Sequence, residues 1–194
     1  MHWDAGRLSE VTVLFADFRE YTRLTQELGI EKVAPVTAEF FRASAEIILE
    51  HHGIVDRLLG DGVMAFFNVP IRHDDHVHRA VNAAFRIQDT VKQINAKLDG
   101  GLILGVGIGI ASGRALATNM GSTNCNDYTM VGESINIASR LQGEAAAGQV
   151  LVSEDAYNAI RQMFPEATPV EYALKGMAQP VTARRLEKRL KTDP

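Results

Sequence analysis

The chain has one cysteine among 194 residues, Cys125, so an internal disulfide is excluded. The usual cysteine-based zinc sites need more thiolates and are excluded with it. An excess of positive charge is also missing. Twenty Lys and Arg face 24 Asp and Glu, a formal net charge of -4. A general nucleic-acid coat needs a basic surface, so that class drops out. Long hydrophobic runs are lacking too: Ile47-Ile48-Leu49 is cut at once by Glu50. Nothing approaches a transmembrane helix, so no direct membrane insertion is expected. No hydrophobic run stands behind Met1 to Arg7, as a signal peptide would require. There is no repeat, linker or low-complexity stretch.

What is present reads as globular: 46% of residues are hydrophobic and 23% charged. The length fits a single domain over 1–194, with a core from about 8 to 186 and a charged tail at 187–194. A soluble, cytoplasmic chain in a reducing compartment is expected, or the cytosolic domain of a longer, membrane-tethered protein.

Hydrophobic spacing supplies the elements. Val11–Ala16 (VTVLFA) is an apolar, β-branched run that reads as a buried strand ending at Asp17. From about Glu31 to His51, Val33, Val36, Phe40 and Ile48 recur at helical spacing, and Gly53 ends that helix. Pro35 is then acceptable only in the first turn. Ile54–Leu59 and Val63–Phe67 are strand-like runs, with Asp61-Gly62 as a hairpin signal between them. A helix is expected from about Asp74 to Lys97, then a glycine-bearing strand over Leu102–Ile110, with a turn at Gly113. Val131-Gly132 precedes a helix carrying Ile135, Ile137, Ala138 and Leu141. Val150–Val152, Ala167–Leu174 and Val181–Leu186 are late strands. This order points to an α+β fold, with helices on one face of a mainly antiparallel sheet.

Three local signals carry little. Gly105–Gly109 (GVGIG) superficially resembles a dinucleotide loop, but the glycines alternate inside an apolar strand and no helix opens after them. Close approach by another backbone or a ligand explains them better. His73–His78 (HDDHVH) has the residue types of a metal site, yet Asp74 or Asp75 is well placed to cap the following helix, which needs no metal. Cys125 has no basic partner beside it in Ser122–Asp127 and reads as an ordinary loop thiol.

Two pairs of residues are more informative. Asp17 closes one apolar strand and Asp61 sits at the tip of a hairpin between two more. That is the arrangement of a two-metal site. Taken singly, Asp17 is equally a helix N-cap, and Asp61 a favoured turn residue. Asn136 and Arg140 are four apart and share a helix face. An amide beside a guanidinium suits an anionic transition state, although two solvent-facing polar residues would look the same.

Three stretches together carry a family likeness: Val11–Thr22 (VTVLFADFREYT), Gly53–Phe67 (GIVDRLLGDGVMAFF) and Asp127–Leu141 (DYTMVGESINIASRL). With Leu174–Val181 (LKGMAQPV), the chain from about Leu8 to Leu186 resembles the class III nucleotidyl cyclase catalytic domain. That resemblance implies a ferredoxin-like palm, a βαββαβ core with additional C-terminal α/β elements, acting as a head-to-tail homodimer. It implies conversion of ATP to 3′,5′-cyclic AMP and pyrophosphate, a phosphorus–oxygen lyase reaction. Asp17 and Asp61 match the two metal-binding aspartates, with a backbone carbonyl near Phe18 as a further ligand. Two divalent cations per site, Mg2+ or Mn2+, follow by analogy, one lowering the pKa of the ribose 3′-hydroxyl and the other binding the triphosphate. Phe18, Arg19, Glu20, Tyr21 and Thr22 match the phosphate-binding segment. Asn136 matches the ribose-positioning asparagine and Arg140 the arginine that stabilises phosphoryl charge.

Base selection departs from the commonest adenylate pattern. Arg57 stands where that pattern has lysine, and Thr129 where it has aspartate. Arg57 only donates, so it suits adenine N1 and not guanine's N1 proton. Thr129 discriminates weakly, because a hydroxyl rotates to either role. Glu20 replaces a frequent glycine and would repel a phosphate unless it points to solvent. ATP is the expected substrate, with a guanylate or unselective purine cyclase as the first alternative. A weakly active pseudo-cyclase, serving as a nucleotide-binding and dimerisation module, is the second. The metal aspartates would come from one chain and Arg57, Thr129, Asn136 and Arg140 from its partner. An upstream sensor or regulatory domain is compatible with the family.

Overall fold

The computed structural model describes residues 6–98, 103–119, 128–174, 177 and 179–188. Cys125 with its loop, and the tail beyond Lys188, lie outside the described residues. The first strand, β1 (Leu8–Arg19), leads through helices α1 (Tyr21–Leu28) and α2 (Ile30–Glu50) to the hairpin β2 (Ile54–Leu59) and β3 (Gly62–Phe67). Helix α3 (His76–Ala96) and the long strand β4 (Gly105–Asn119) follow. After them come β5 (Tyr128–Val131), α4 (Glu133–Glu144), β6 (Val150–Ser153), α5 (Glu154–Ile160), β7 (Pro169–Tyr172) and β8 (Val181–Leu186). The strands form one sheet in the order β2-β3-β1-β4-β6-β8-β7, with β5 pairing β4. Its first four strands run antiparallel as β2-β3-β1-β4, the order of the expected βαββαβ palm. The β4–β6 pair is parallel.

Alternation along β1 sends its side chains to two cores. Leu14, Ala16 and Phe18 pack with α2, α3 and α5, while Val11, Val13 and Phe15 pack with Met64, Phe66 and Ala138 of α4. The helices therefore cover both faces of the sheet, not one, because α4 lies opposite α2 and α3. Alternate glycines of β4 let α4 and the loop after it come close. A Cβ at Gly109 would stand 2.2 Å from the Ala138 carbonyl oxygen, and one at Gly107 2.5 Å from that of Ala145. The close-approach reading of GVGIG holds.

Other expectations need correction. Strand β4 runs straight through Gly113, which pairs with Val11 and meets Ser134 across the sheet face. Pro35 lies in the second turn of α2, not the first. It is tolerated because Glu31, whose carbonyl it leaves without a helical donor, is exposed with it. Asp75 occupies the N-cap of α3 but makes no capping bond; its carboxylate accepts from Arg79 Nε at 2.6 Å. His76 is buried and shares Thr12 Oγ1 with Ser112, at 2.6 and 2.5 Å. That bond accounts for its burial, and the described residues hold no group of three or more His, Cys, Asp or Glu able to bind a metal. Among the described residues, no helix is long and apolar enough to cross a membrane.

Candidate active site

Asp17 lies within β1, not at its end, and pairs across the sheet with Gly62 on one side and Gly107 on the other. It caps no helix; α1 begins at Tyr21. Gly62 lacks a side chain where the carboxylate needs room, and Gly107 leaves room for the Arg19 guanidinium and the Ala145 carbonyl. A Cβ at Gly62 would stand 2.8 Å from Asp17 Oδ1. Asp61 reaches the same corner from the β2–β3 turn. The two-residue turn is Gly60-Asp61, because Leu59 pairs with Gly62, and Gly60 takes the left-handed φ of 63° that the turn requires. The Phe18 N–H donates to the Asp61 carbonyl at 3.1 Å and ties the turn to β1.

The carboxylate is poorly satisfied. Asp17 Oδ2 accepts from Gln142 Nε2 of α4 at 3.1 Å and lies 3.5 Å from Arg19 Nη2. Among the described residues, Oδ1 is buried with no hydrogen-bond partner. Burial first, then the charge of Asp61, hold the Asp17 carboxyl above the usual carboxylate range, against the pull of Gln142 and Arg19. A buried oxygen without a partner, beside a second carboxylate, is what a hard divalent cation would satisfy. Asp17 and Asp61 fit such an ion.

The segment from Phe18 to Thr22 divides. The Phe18 amide is committed to Asp61, so it cannot also hold a phosphate, and its ring is packed 4.5 Å from that of Phe40. Glu20 adopts a left-handed conformation with φ 59° and turns its exposed carboxylate towards Arg23, with which it pairs. It therefore leans along α1 into solvent, which removes the expected repulsion. The amides of Tyr21 and Thr22 open α1, where the helix dipole favours an anion.

Arg57 and Thr129 come together through a residue that sequence reasoning missed. Asp56 Oδ2 accepts from Thr129 Oγ1 at 3.2 Å and lies 3.4 Å from Arg57 Nε. The strand pattern hides this, because the register shift between Val55 and Arg57 is invisible in the sequence. Gln142 was missed as well; its sole clue is a place two residues after Arg140.

Helix α4 separates two faces. Gln142 points at Asp17, so Arg140, about 200° earlier around the helix, points away from it. Asn136, four residues before Arg140, shares that outer side and is exposed. Arg140 is half-buried, and among the described residues its Nη1 is buried without a hydrogen-bond partner. The carboxylate corner and the Asn136–Arg140 face are thus turned away from each other within one chain.

Residues 3–186 match the family model for the adenylate and guanylate cyclase catalytic domain. Adenylate cyclase 1 of Rhizobium meliloti is 28% identical over 136 residues, 69% of this chain and 20% of that protein. The adenylate cyclase of Anabaena cylindrica is 28% identical over 145 residues, 72% of this chain and 28% of its own length. The match therefore spans 20% and 28% of the length of these two relatives. Among solved structures, the guanylyl cyclase Cya2 superimposes with a TM-score of 0.86 at 27% identity, covering 93% of each chain. The adenylyl cyclase CyaB from P. aeruginosa gives 0.85 at 26%, covering 94% of this chain and 96% of its own. With the palm topology and the carboxylate corner, these likenesses leave one family, and the chain belongs to the adenylate and guanylate cyclase catalytic domains.

Proposed function

We propose that residues 8–186 form one catalytic domain that cyclises ATP to 3′,5′-cyclic AMP, releasing pyrophosphate, as a homodimer with two shared sites. The observation that carries this reading is the unpartnered Oδ1 of Asp17, buried beside Asp61. Those two carboxylates would hold two divalent cations, Mg2+ or Mn2+, which when bound supply charge to the triphosphate and acidify the ribose 3′-hydroxyl.

The chain's own residues do the rest. Asp17 and Asp61 would hold the cations at the palm corner, with Gly62 leaving space for the Asp17 carboxylate. The opening amides of α1 at Tyr21 and Thr22 bind phosphate oxygens. On the partner chain, Asn136 would orient the ribose so that O3′ faces the α-phosphorus. Arg140 would carry the negative charge that gathers on the phosphoryl oxygens as the bond to pyrophosphate breaks. Arg57 would donate to adenine N1, and Thr129 accept from the 6-amino group. The outward aim of Asn136 and Arg140, away from Asp17, supports a site completed by a second copy.

Chromatographic product analysis tests the reading. With ATP and Mn2+, concentrated protein should form cyclic AMP and equimolar pyrophosphate, and form it faster than with Mg2+. Absence of any cyclic nucleotide from ATP or GTP with either metal would overturn it.

A further inference from the structure

Asp56 has the most enclosed charge in the base-reading cluster: its side chain is 5% exposed, against 41% for Arg57. The β2 bulge puts it there. Val55 pairs with Ala65 and Arg57 with Met64, so Asp56 is the extra residue between them. In a regular strand, neighbouring side chains leave on opposite faces. Here the bulge re-aims one of them, and a single oxygen, Asp56 Oδ2, meets both Arg57 Nε and Thr129 Oγ1.

The consequence lies in the count of protons. A carboxylate accepts and does not donate, so the proton in the Thr129 bond is the hydroxyl's own. Thr129 is buried, which keeps its proton from exchanging partners with bulk water. A threonine hydroxyl has one proton; with that proton committed to Asp56, lone pairs are what remain.

We infer that Asp56 is a specificity-determining positioning residue: it makes Thr129 an acceptor, so that Arg57 and Thr129 together read adenine and reject guanine. The inference rests on the proposed reading that these two residues face the base. Adenine presents an acceptor at N1 and a donor at its 6-amino group, which match a donor and an acceptor. Guanine presents a donor at N1 and an acceptor at O6, so both contacts fail. A freely turning hydroxyl would forgive the 6-position; a fixed one does not. Sites built to pair a polar group discriminate strongly against the analogue that leaves it unpaired.

The test compares kcat/KM for ATP and GTP in the full chain. Asp56→Asn can still accept from Arg57 while its amide donates to Thr129, which frees the hydroxyl proton to face the base. The ATP-to-GTP ratio should fall about tenfold or more, mostly by loss on ATP. Thr129→Val should lower the ratio comparably, and adding Asp56→Asn to it should change the ratio no further. Asp56→Ser, which removes the buried charge, has the same expected sign and serves if the asparagine variant does not fold. An unchanged ratio in a folded, active Asp56 variant overturns the inference. So does an undiminished effect of Asp56→Asn on the Thr129→Val background, which would route it through Arg57 alone. If the wild-type chain binds nucleotide without turning it over, the proposed activity fails separately, and calorimetric affinities for ATP and GTP give the same ratio. A wild-type chain that binds neither nucleotide overturns both.

Discussion

Asp17 is a carboxylate kept where carboxylates are costly, half-buried beside a second one, with Gln142 and Arg19 as partial compensation. Such a residue persists when something else completes it, and a divalent cation would do so. Manganese should therefore stabilise the fold itself. At a hundred times the dissociation constant the gain is about 2.7 kcal/mol, which is several degrees in Tm for a chain of this size. Asp17→Asn should remove most of that shift in a thermal melt, and an undiminished shift would place the ion elsewhere. Protons compete with the cation for Asp17. Because its carboxyl is held above the usual range, the shift should begin to shrink, as pH falls, before an ordinary aspartate would take up its proton. At this scale the sequence is legible wherever chemistry is set by residue type: Asp17, Asp61, Asn136 and Arg140 stand out as candidates by type and spacing, whereas Arg57 and Thr129 are singled out only by the family resemblance. Asp56 and Gln142 do not. A bulge and a helix facing decide what those two touch, and neither leaves a local signature.

Helix α4 is the element on which the site turns, and its seat is β4. Gly109 lets the helix backbone approach so closely that an added methyl would stand 2.2 Å from the Ala138 carbonyl oxygen and 2.3 Å from the Gln142 amide nitrogen. Neither atom is the end of a flexible side chain. Gly109→Ala should therefore push α4 off the sheet, costing about 1–3 kcal/mol by overpacking. It should also displace Gln142 from Asp17 and move Arg140, so activity should fall more than stability does. A melt read beside a turnover assay checks this; an alanine variant with wild-type Tm would mean that the helix yields without cost. The element pattern is readable where periodicity is long, as in α2 and α3. It fails where a strong local cue meets a stronger tertiary one. Gly113 looks like a turn, yet pairing with β1 carries the strand through it. The short β5 and α5 go unread, because four and seven residues give too little period to stand out.

At the scale of the whole molecule, the central claim is that one chain carries two halves of a site that do not meet. Gln142 fixes which side of α4 faces Asp17, and Arg140 lies on the other. The palm order is legible from the sequence of elements, since strand, helix, hairpin, helix and strand admit few antiparallel sheets. Placement of α4 on the opposite face is not, because its apolar stripe does not say which surface of the sheet it covers. The most direct measurement mixes two disabled proteins. Asp17→Ala removes a cation ligand, and Arg140→Ala leaves transition-state charge uncompensated, so each alone should be inactive or nearly so. In a mixed dimer one shared site gathers both lesions and the other gathers neither. Random exchange makes about half of the dimers mixed, so cyclic AMP formation should recover to about a quarter of the wild-type rate. A mixture that stays inactive after verified subunit exchange, with both variants still dimeric and binding nucleotide, would put Asp17 and Arg140 in the same chain's site and contradict the account.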